Sequence, residues 1–329
     1  MRWPHLNFVV GANLPWLSYG GDFGANAWHA DGGVARPGQR EHLRRVLGAL
    51  ADEGVQLVRW FMLCDGRAGL IDDPRSGLPE LDDVVVRDGD SAVEELERAG
   101  LTAMFVLFDY HWFRPAQVVN GVRMGGRGRL ATDAAQRPHL LERVLDPLLE
   151  RYGRHPAVAA WDVINEPEWA MRRIRIPSPA CNVSRTAMRA FIRDTVTLIH
   201  HRTSHAATVG SASTRSLPLV QGLGLDIYQA HWYDHLDRRA PLGRPISTLG
   251  LDRPILLGEF PTRGSARAPA DILATARLAG YAGALSWSVL SNDDASNQGG
   301  FSGAIAGIRH TNTLEGLADR APVRGPDLE

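Results

Sequence analysis

A single-domain (β/α)8 TIM barrel is the fold predicted by this sequence of 329 residues. Eight short apolar runs recur along it with helical segments between them, and no linker-like stretch interrupts the alternation. The length is one that α/β barrels routinely fill as one domain, and the pattern fits a barrel better than a doubly wound open sheet. Residues 1–320 are assigned to the barrel, and 321–329, polar and proline-containing, to a frayed tail.

The elements follow in order. Residues 8–13 are the first strand, and 40–54 an amphipathic helix with Leu43, Val46, Leu47 and Leu50 at helical spacing and a terminal glycine. Residues 57–63 form the second strand, 91–100 a helix capped by Ser91, and 102–108 the third strand. A helix over 138–152 opens on a proline. The fourth strand, 158–166, ends at Glu166 because Pro167 cannot continue a central strand. A long helix over 184–202 leads to strands at 207–212, 226–233 and 254–260, then a helix at 270–280 and the eighth strand at 283–290. Pro218, Gly222 and Gly224 break any long helix between strands five and six, and the final helix falls somewhere in 302–318.

Composition excludes several classes of function. The 44% hydrophobic content is ample for a core, and a formal charge of −1 argues against a general attraction to nucleic acid or anionic membrane. All 36 basic residues are arginine. Without a lysine there is no Schiff-base or pyridoxal-phosphate chemistry and no Walker-type phosphate loop. Cys64 and Cys181 are read as two free thiols. No run approaches the ~20 apolar residues that span a bilayer, and the N-terminus lacks a signal-peptide pattern. A cytoplasmic location is expected, or a secreted one if a signal peptide has been removed.

Two stretches carry the chemistry. Trp161-Asp162-Val163-Ile164-Asn165-Glu166-Pro167 and Ile255-Leu256-Leu257-Gly258-Glu259-Phe260-Pro261 are apolar strands that each deliver a glutamate just before a proline. In a barrel, the C-terminal strand ends form the active face, so the natural expectation is a pair of carboxyl groups facing one substrate. The other strand ends offer Arg59 on strand two, His111 after strand three, Asn165 beside Glu166, His231 and Tyr233 on strand six, and Trp287 on strand eight.

This ordered set resembles glycoside hydrolase clan A, most closely family 5, over almost the whole chain. The resemblance implies a retaining β-glycosidase that acts on β-linked glucan, mannan or related oligo- or polysaccharides, without cofactor or metal. Glu166 would be the general acid/base and Glu259 the nucleophile, with the two carboxyl groups roughly 5 Å apart. Two groups that close are not both charged cheaply, so Glu166 should rest protonated. Arg59 would hold Glu259 ionised and Tyr233 would donate to it. Asn165 would bind the sugar 2-hydroxyl, His111 would lie near the sugar and His231 near the acid/base. Trp287 would supply a flat platform, with Trp16, Trp28, Trp112, Trp169 and Trp232 as further candidates, each more readily explained by packing. A transglycosylase, another clan A glycosidase on the same site, or a non-catalytic carbohydrate-binding barrel are the alternatives.

Three weaker patterns are assigned to the surface or to loops. His200, His201 and His205 are read as solvated histidines rather than metal ligands. Asn292, Asp293 and Asp294 are read as a polar loop at the active face rather than a calcium loop. The Gly-rich stretch 121–129, with Arg123, Arg127 and Arg129, and the later Arg172, Arg173 and Arg175 are read as solvated mobile loops rather than as a site for an acidic sugar.

Overall fold

Eight parallel strands close on themselves in sequence order, the eighth pairing with the first. In the computed structural model, which describes residues 8–172, 182–291 and 293–296, they are β1 Val9–Leu14, β2 Leu57–Phe61, β3 Thr102–Asp109, β4 Val158–Asn165, β5 Ala206–Ser211, β6 Tyr228–His231, β7 Ile255–Pro261 and β8 Gly283–Trp287. All eight strand expectations are met within a few residues. Cys181, Arg173, Arg175, Asn292, the helix expected within 302–318 and the tail 321–329 lie outside the described residues.

The strands are apolar on both faces because a parallel barrel buries both. Side chains alternate along β2, where Leu57 enters the apolar plug at the bottom of the barrel, Val58 and Trp60 pack outward, and Phe61 joins Val106 near the top. Arg59, between Leu57 and Phe61 on the inward face, therefore occupies a polar layer held between two apolar ones. Register then lines up the strand ends, with Asn13 opposite Arg59, Asp109 opposite Asn165 and His231 opposite Glu259.

The helices show where local sequence signals were followed and where they were masked. Helix Pro37–Glu53 buries Leu43, Leu47 and Leu50 and ends at Gly54, whose φ of 95° is the left-handed cap that glycine adopts without a Cβ penalty. Helix Asp83–Ala99 begins eight residues before the expected Ser91 cap, and its cap is Asp82, whose side chain accepts from the Val84 N–H. The run Val84-Val85-Val86 hid the first turn, because β-branched residues are weak helix formers. Ser184 caps helix Arg185–Arg202 as its position suggests. The helix expected over 138–152 is interrupted by a π-helical turn, Leu141–Leu145, immediately before Asp146–Tyr152. Pro147 explains the interruption, since it lacks the N–H that would continue the ladder.

Between β5 and β6 there is only a 3-10 turn, Thr214–Leu219, and between β6 and β7 only Ile246–Leu249. The mobile loop expected over 121–129 instead ends in a short helix, Gly128–Thr132, and begins within a hairpin, Gln117–Val119 paired with Val122–Met124. Its turn residues Asn120 and Gly121 have φ of 47° and 80°, the two positive values that a tight hairpin turn requires. Among the described residues no helix is long and apolar enough to cross a membrane.

Candidate active site

The site is built upward from Arg59, which is fully buried at the centre of a hydrogen-bonded ring. Its Nε donates to Asp162 Oδ2 at 3.0 Å, Nη2 to Asn165 Oδ1 at 2.8 Å, and Nη1 to both Asn13 Oδ1 at 3.0 Å and Glu259 Oε1 at 2.7 Å. Asp162 is satisfied in turn by Gln229 Nε2 and the Gly210 N–H. Gly210 must be glycine for this to exist: a Cβ there would lie 2.6 Å from Arg59 Nη2. Asn13 fixes the ring to β7 and β8 by donating to the Gly258 and Ser286 carbonyls. A guanidinium with its donors engaged cannot swing away, so Glu259 faces a fixed positive charge.

Glu259 also accepts from the Tyr233 hydroxyl, at 2.7 Å on Oε2. Glu166 sits just past the last paired residue of β4, in the left-handed region at φ 45°, which is uncommon for a residue with a Cβ. Its Oε1 lies 2.8 Å from His231 Nδ1. One oxygen from each carboxyl group and that ring nitrogen all lie within 4.8 Å of one another.

Burial pushes the Glu166 carboxyl up to about 7, with the Asp109 charge adding to the effect and Arg59 opposing it. Burial acts on Glu259 in the same upward direction, but the buried Arg59 charge and the Tyr233 hydroxyl pull it back. A single proton shared by this pair therefore belongs on Glu166. Burial also drives His231 down to about 4, so the ring is neutral at pH 7. Its Nε2 is buried without a partner, and an unpaired N–H is rarer and costlier than an unpaired lone pair, which places the ring proton on Nδ1.

His111 packs its ring on Tyr110 and is anchored through Nδ1 to Asp109. Asp109 is the link that sequence reasoning missed, for its other oxygen accepts from Asn165 Nδ2 at 2.8 Å. Asn165 therefore has its carbonyl committed to Arg59 and one N–H to Asp109, leaving one N–H for a ligand. Trp287 borders the cleft at the end of β8 and is fixed by an Nε1 hydrogen bond to Asp293 at 3.0 Å. All eight candidate residues thus belong to one constellation at the C-terminal end of the barrel.

Above them opens a cleft of about 1000 Å³. Trp16 and Trp169 line it. Trp112 and Trp232 are core residues, and Trp28 hydrogen-bonds to Val119 of the hairpin. Arg123, Arg127 and Arg129 engage Gly126, Asp72 and Asp133 within or beside their own loop, and none lines the cleft. His200 is bound to Asp226, and His205 is buried rather than solvated as the sequence suggested.

Glu166, Glu259 and His231 have the atom types of a metal site, and they are the one such group among the described residues. Their environment fits a metal poorly. Arg59 already places a buried cation 2.7 Å from Glu259, and a metal ion there would meet that charge in a low-dielectric setting.

No family model matches the chain. It is 23% identical over 323 residues to a mannan endo-1,4-beta-mannosidase of Mytilus edulis, covering 86% of this chain and 84% of that protein. A mannan endo-1,4-beta-mannosidase of Cryptopygus antarcticus is 24% identical over 360 residues, covering 97% of this chain and 88% of that one. The crystal structure of an endo-1,4-beta-mannanase from Eisenia fetida superposes with a TM-score of 0.77 at 22% identity, over 93% of this chain and 92% of that one.

Proposed function

We propose that the chain is an endo-acting β-1,4-mannan hydrolase similar to glycoside hydrolase family 5, working by double displacement through Glu259 and Glu166. The observation that carries the mechanism is the separation of the two carboxyl groups, with an oxygen of each inside the 4.8 Å cluster. Retaining glycosidases hold their carboxyl groups about 5 Å apart, whereas inverting ones leave roughly 6.5–9.5 Å for a water. The mannan substrate is supported by the two curated mannosidases to which the chain is similar along most of its length.

In the first step a Glu259 oxygen bonds to the anomeric carbon as the glycosidic bond breaks, and the Glu166 proton passes to the departing oxygen. His231 Nδ1–H donates to Glu166 Oε1, so the acid proton rests on the other oxygen. Forming the ester removes the Glu259 charge, and Glu166, now ionised, takes a proton from water as the water oxygen attacks the same carbon. Glu259 leaves as carboxylate, and the configuration at the carbon is retained. Arg59 and Tyr233 make Glu259 a good leaving group in that second step, because both bonds strengthen as its charge returns.

Hydrolysis of β-mannan, β-glucan and aryl β-glycosides by wild type, Glu259→Ala and Glu166→Ala tests this reading. Azide should restore Glu259→Ala with an α-glycosyl azide and should give Glu166→Ala a β-glycosyl azide from an activated substrate. Mannan should be cut internally, its viscosity falling before reducing ends accumulate. Sugar binding without turnover, unchanged in both variants, would make the chain a binding protein instead.

A further inference from the structure

Two guanidinium groups line the cleft, and they are not equivalent. Arg67 is buried and ion-paired: Nε and Nη2 both grip Asp65, at 2.9 and 2.6 Å, and Nη2 also donates to Tyr19, while its Nη1 is enclosed without a partner. Arg114 has no carboxylate within ion-pair distance among the described residues, and its side chain makes no hydrogen bond there. Its guanidinium lies over the Tyr110 ring at 4.8 Å, and Tyr110 in turn stacks on His111 at 4.2 Å. His111 is tied through Asp109 to Asn165, the neighbour of Glu166. Arg114 thus ends a row of contacts, Asn165 to Asp109 to His111 to Tyr110, that starts beside Glu166.

We propose that Arg114 is the donor of an outer sugar subsite, its guanidinium binding hydroxyl groups of a mannose ring beyond the scissile bond while Tyr110 holds it in place. The inference rests on the mannanase reading and specifies which chain lengths the site prefers. A neutral ligand is favoured over an acidic one because carboxyl groups outnumber guanidinium groups along the cleft, where Asp65, Asp109, Asp293 and Asp294 join the catalytic pair. Arginine stacked on an aromatic ring loses little freedom on binding, and with Nε buried the donors left for a ligand are those of its Nη groups.

The test is kcat/KM for aryl β-mannoside and for β-1,4-manno-oligosaccharides of two to six rings, with wild type, Arg114→Met and Arg114→Lys. Methionine keeps the apolar cover on Tyr110 and removes the donors. The expected result is no change for the shortest substrates and a loss of roughly tenfold to a hundredfold once a ring reaches Arg114, as for a hydrogen bond to a charged group. Lysine, which lacks the planar fork, should restore only part of it. Equal loss at every length, with a lowered Tm, would show a structural role and overturn the subsite, as would no loss at any length. A wild type inert toward every mannoside would remove the mannanase reading and the subsite together, which separates that failure from the other two.

Discussion

Glu259 and Glu166 are the same residue type, both delivered by strand ends, and their surroundings pull them apart. Glu259 rests against a fixed guanidinium and a phenol. Glu166 faces a neutral imidazole and the nearby Asp109 charge. Burial penalises both anions, but only Glu259 is offered a buried counter-charge in direct contact. On the proposed mechanism this difference divides nucleophile from acid, and it depends on what each strand end is built upon rather than on the glutamates themselves. Each prediction below removes one side of that contrast.

Glu259→Ala should have the largest effect, a loss on the order of 10⁴-fold or more in kcat, since the proposed mechanism passes through an ester on Glu259. Steady-state hydrolysis with and without azide measures it. Arg59→Met comes next. It strands Asp162 and Glu259 as buried charges, and breaking such a pair costs about 3–5 kcal/mol. Denaturant unfolding should show a loss of that size, and the Glu259 carboxyl should become a weaker acid, blunting what activity survives.

Glu166→Gln should raise stability while it destroys acid catalysis. The folded Glu166 titrates near 7 against an ordinary 4.5, so the folded state binds this proton more tightly than the unfolded one. That contribution is whole below about 4.5 and is lost as pH rises through about 7, where the buried charge must form. Glutamine carries no such cost, so from pH 4 to pH 8 the variant should gain on wild type by up to about 3 kcal/mol. An unchanged difference in Tm across that range would show that Glu166 is not held neutral. Tyr233→Phe removes one bond to Glu259 and leaves Arg59; roughly tenfold to a hundredfold in kcat/KM is expected, with little change in fold.

Much of this arrangement was legible in the sequence, and the reasons are physical. Strand ends are announced by apolar runs that stop at Asn165-Glu166-Pro167 or Glu259-Phe260-Pro261, so the groups that reach the cleft stand at recognisable places. The groups beneath them are harder to see. Asp162 lies inside an apolar strand and Gln229 inside another, and only their three-dimensional register places them beside Arg59. A lone carboxylate within Val-Ala-Ala-Trp-Asp-Val-Ile was a signal in plain sight, since a buried charge demands a partner. The Asn120-Gly121 hairpin turn was legible too. The early start of helix Asp83–Ala99 was hidden because its propensity and its tertiary packing point in opposite directions.

Asp109→Asn is the smallest change and the one that most directly tests how the contrast is set. Asparagine keeps an acceptor for the Asn165 amide and removes the negative charge that helps to hold Glu166 up. With that repulsion gone, the Glu166 carboxyl should ionise at lower pH, and kcat/KM, which requires it protonated, should fall earlier on the alkaline side. Burial remains the larger cause, so the limb should move only part of the way back toward an ordinary glutamate. The acidic limb, governed by Glu259 beside Arg59, should move less than the alkaline one. A uniform drop in rate with both limbs in place would mean that Asp109 serves only to anchor His111 and Asn165, and that burial alone keeps the acid protonated.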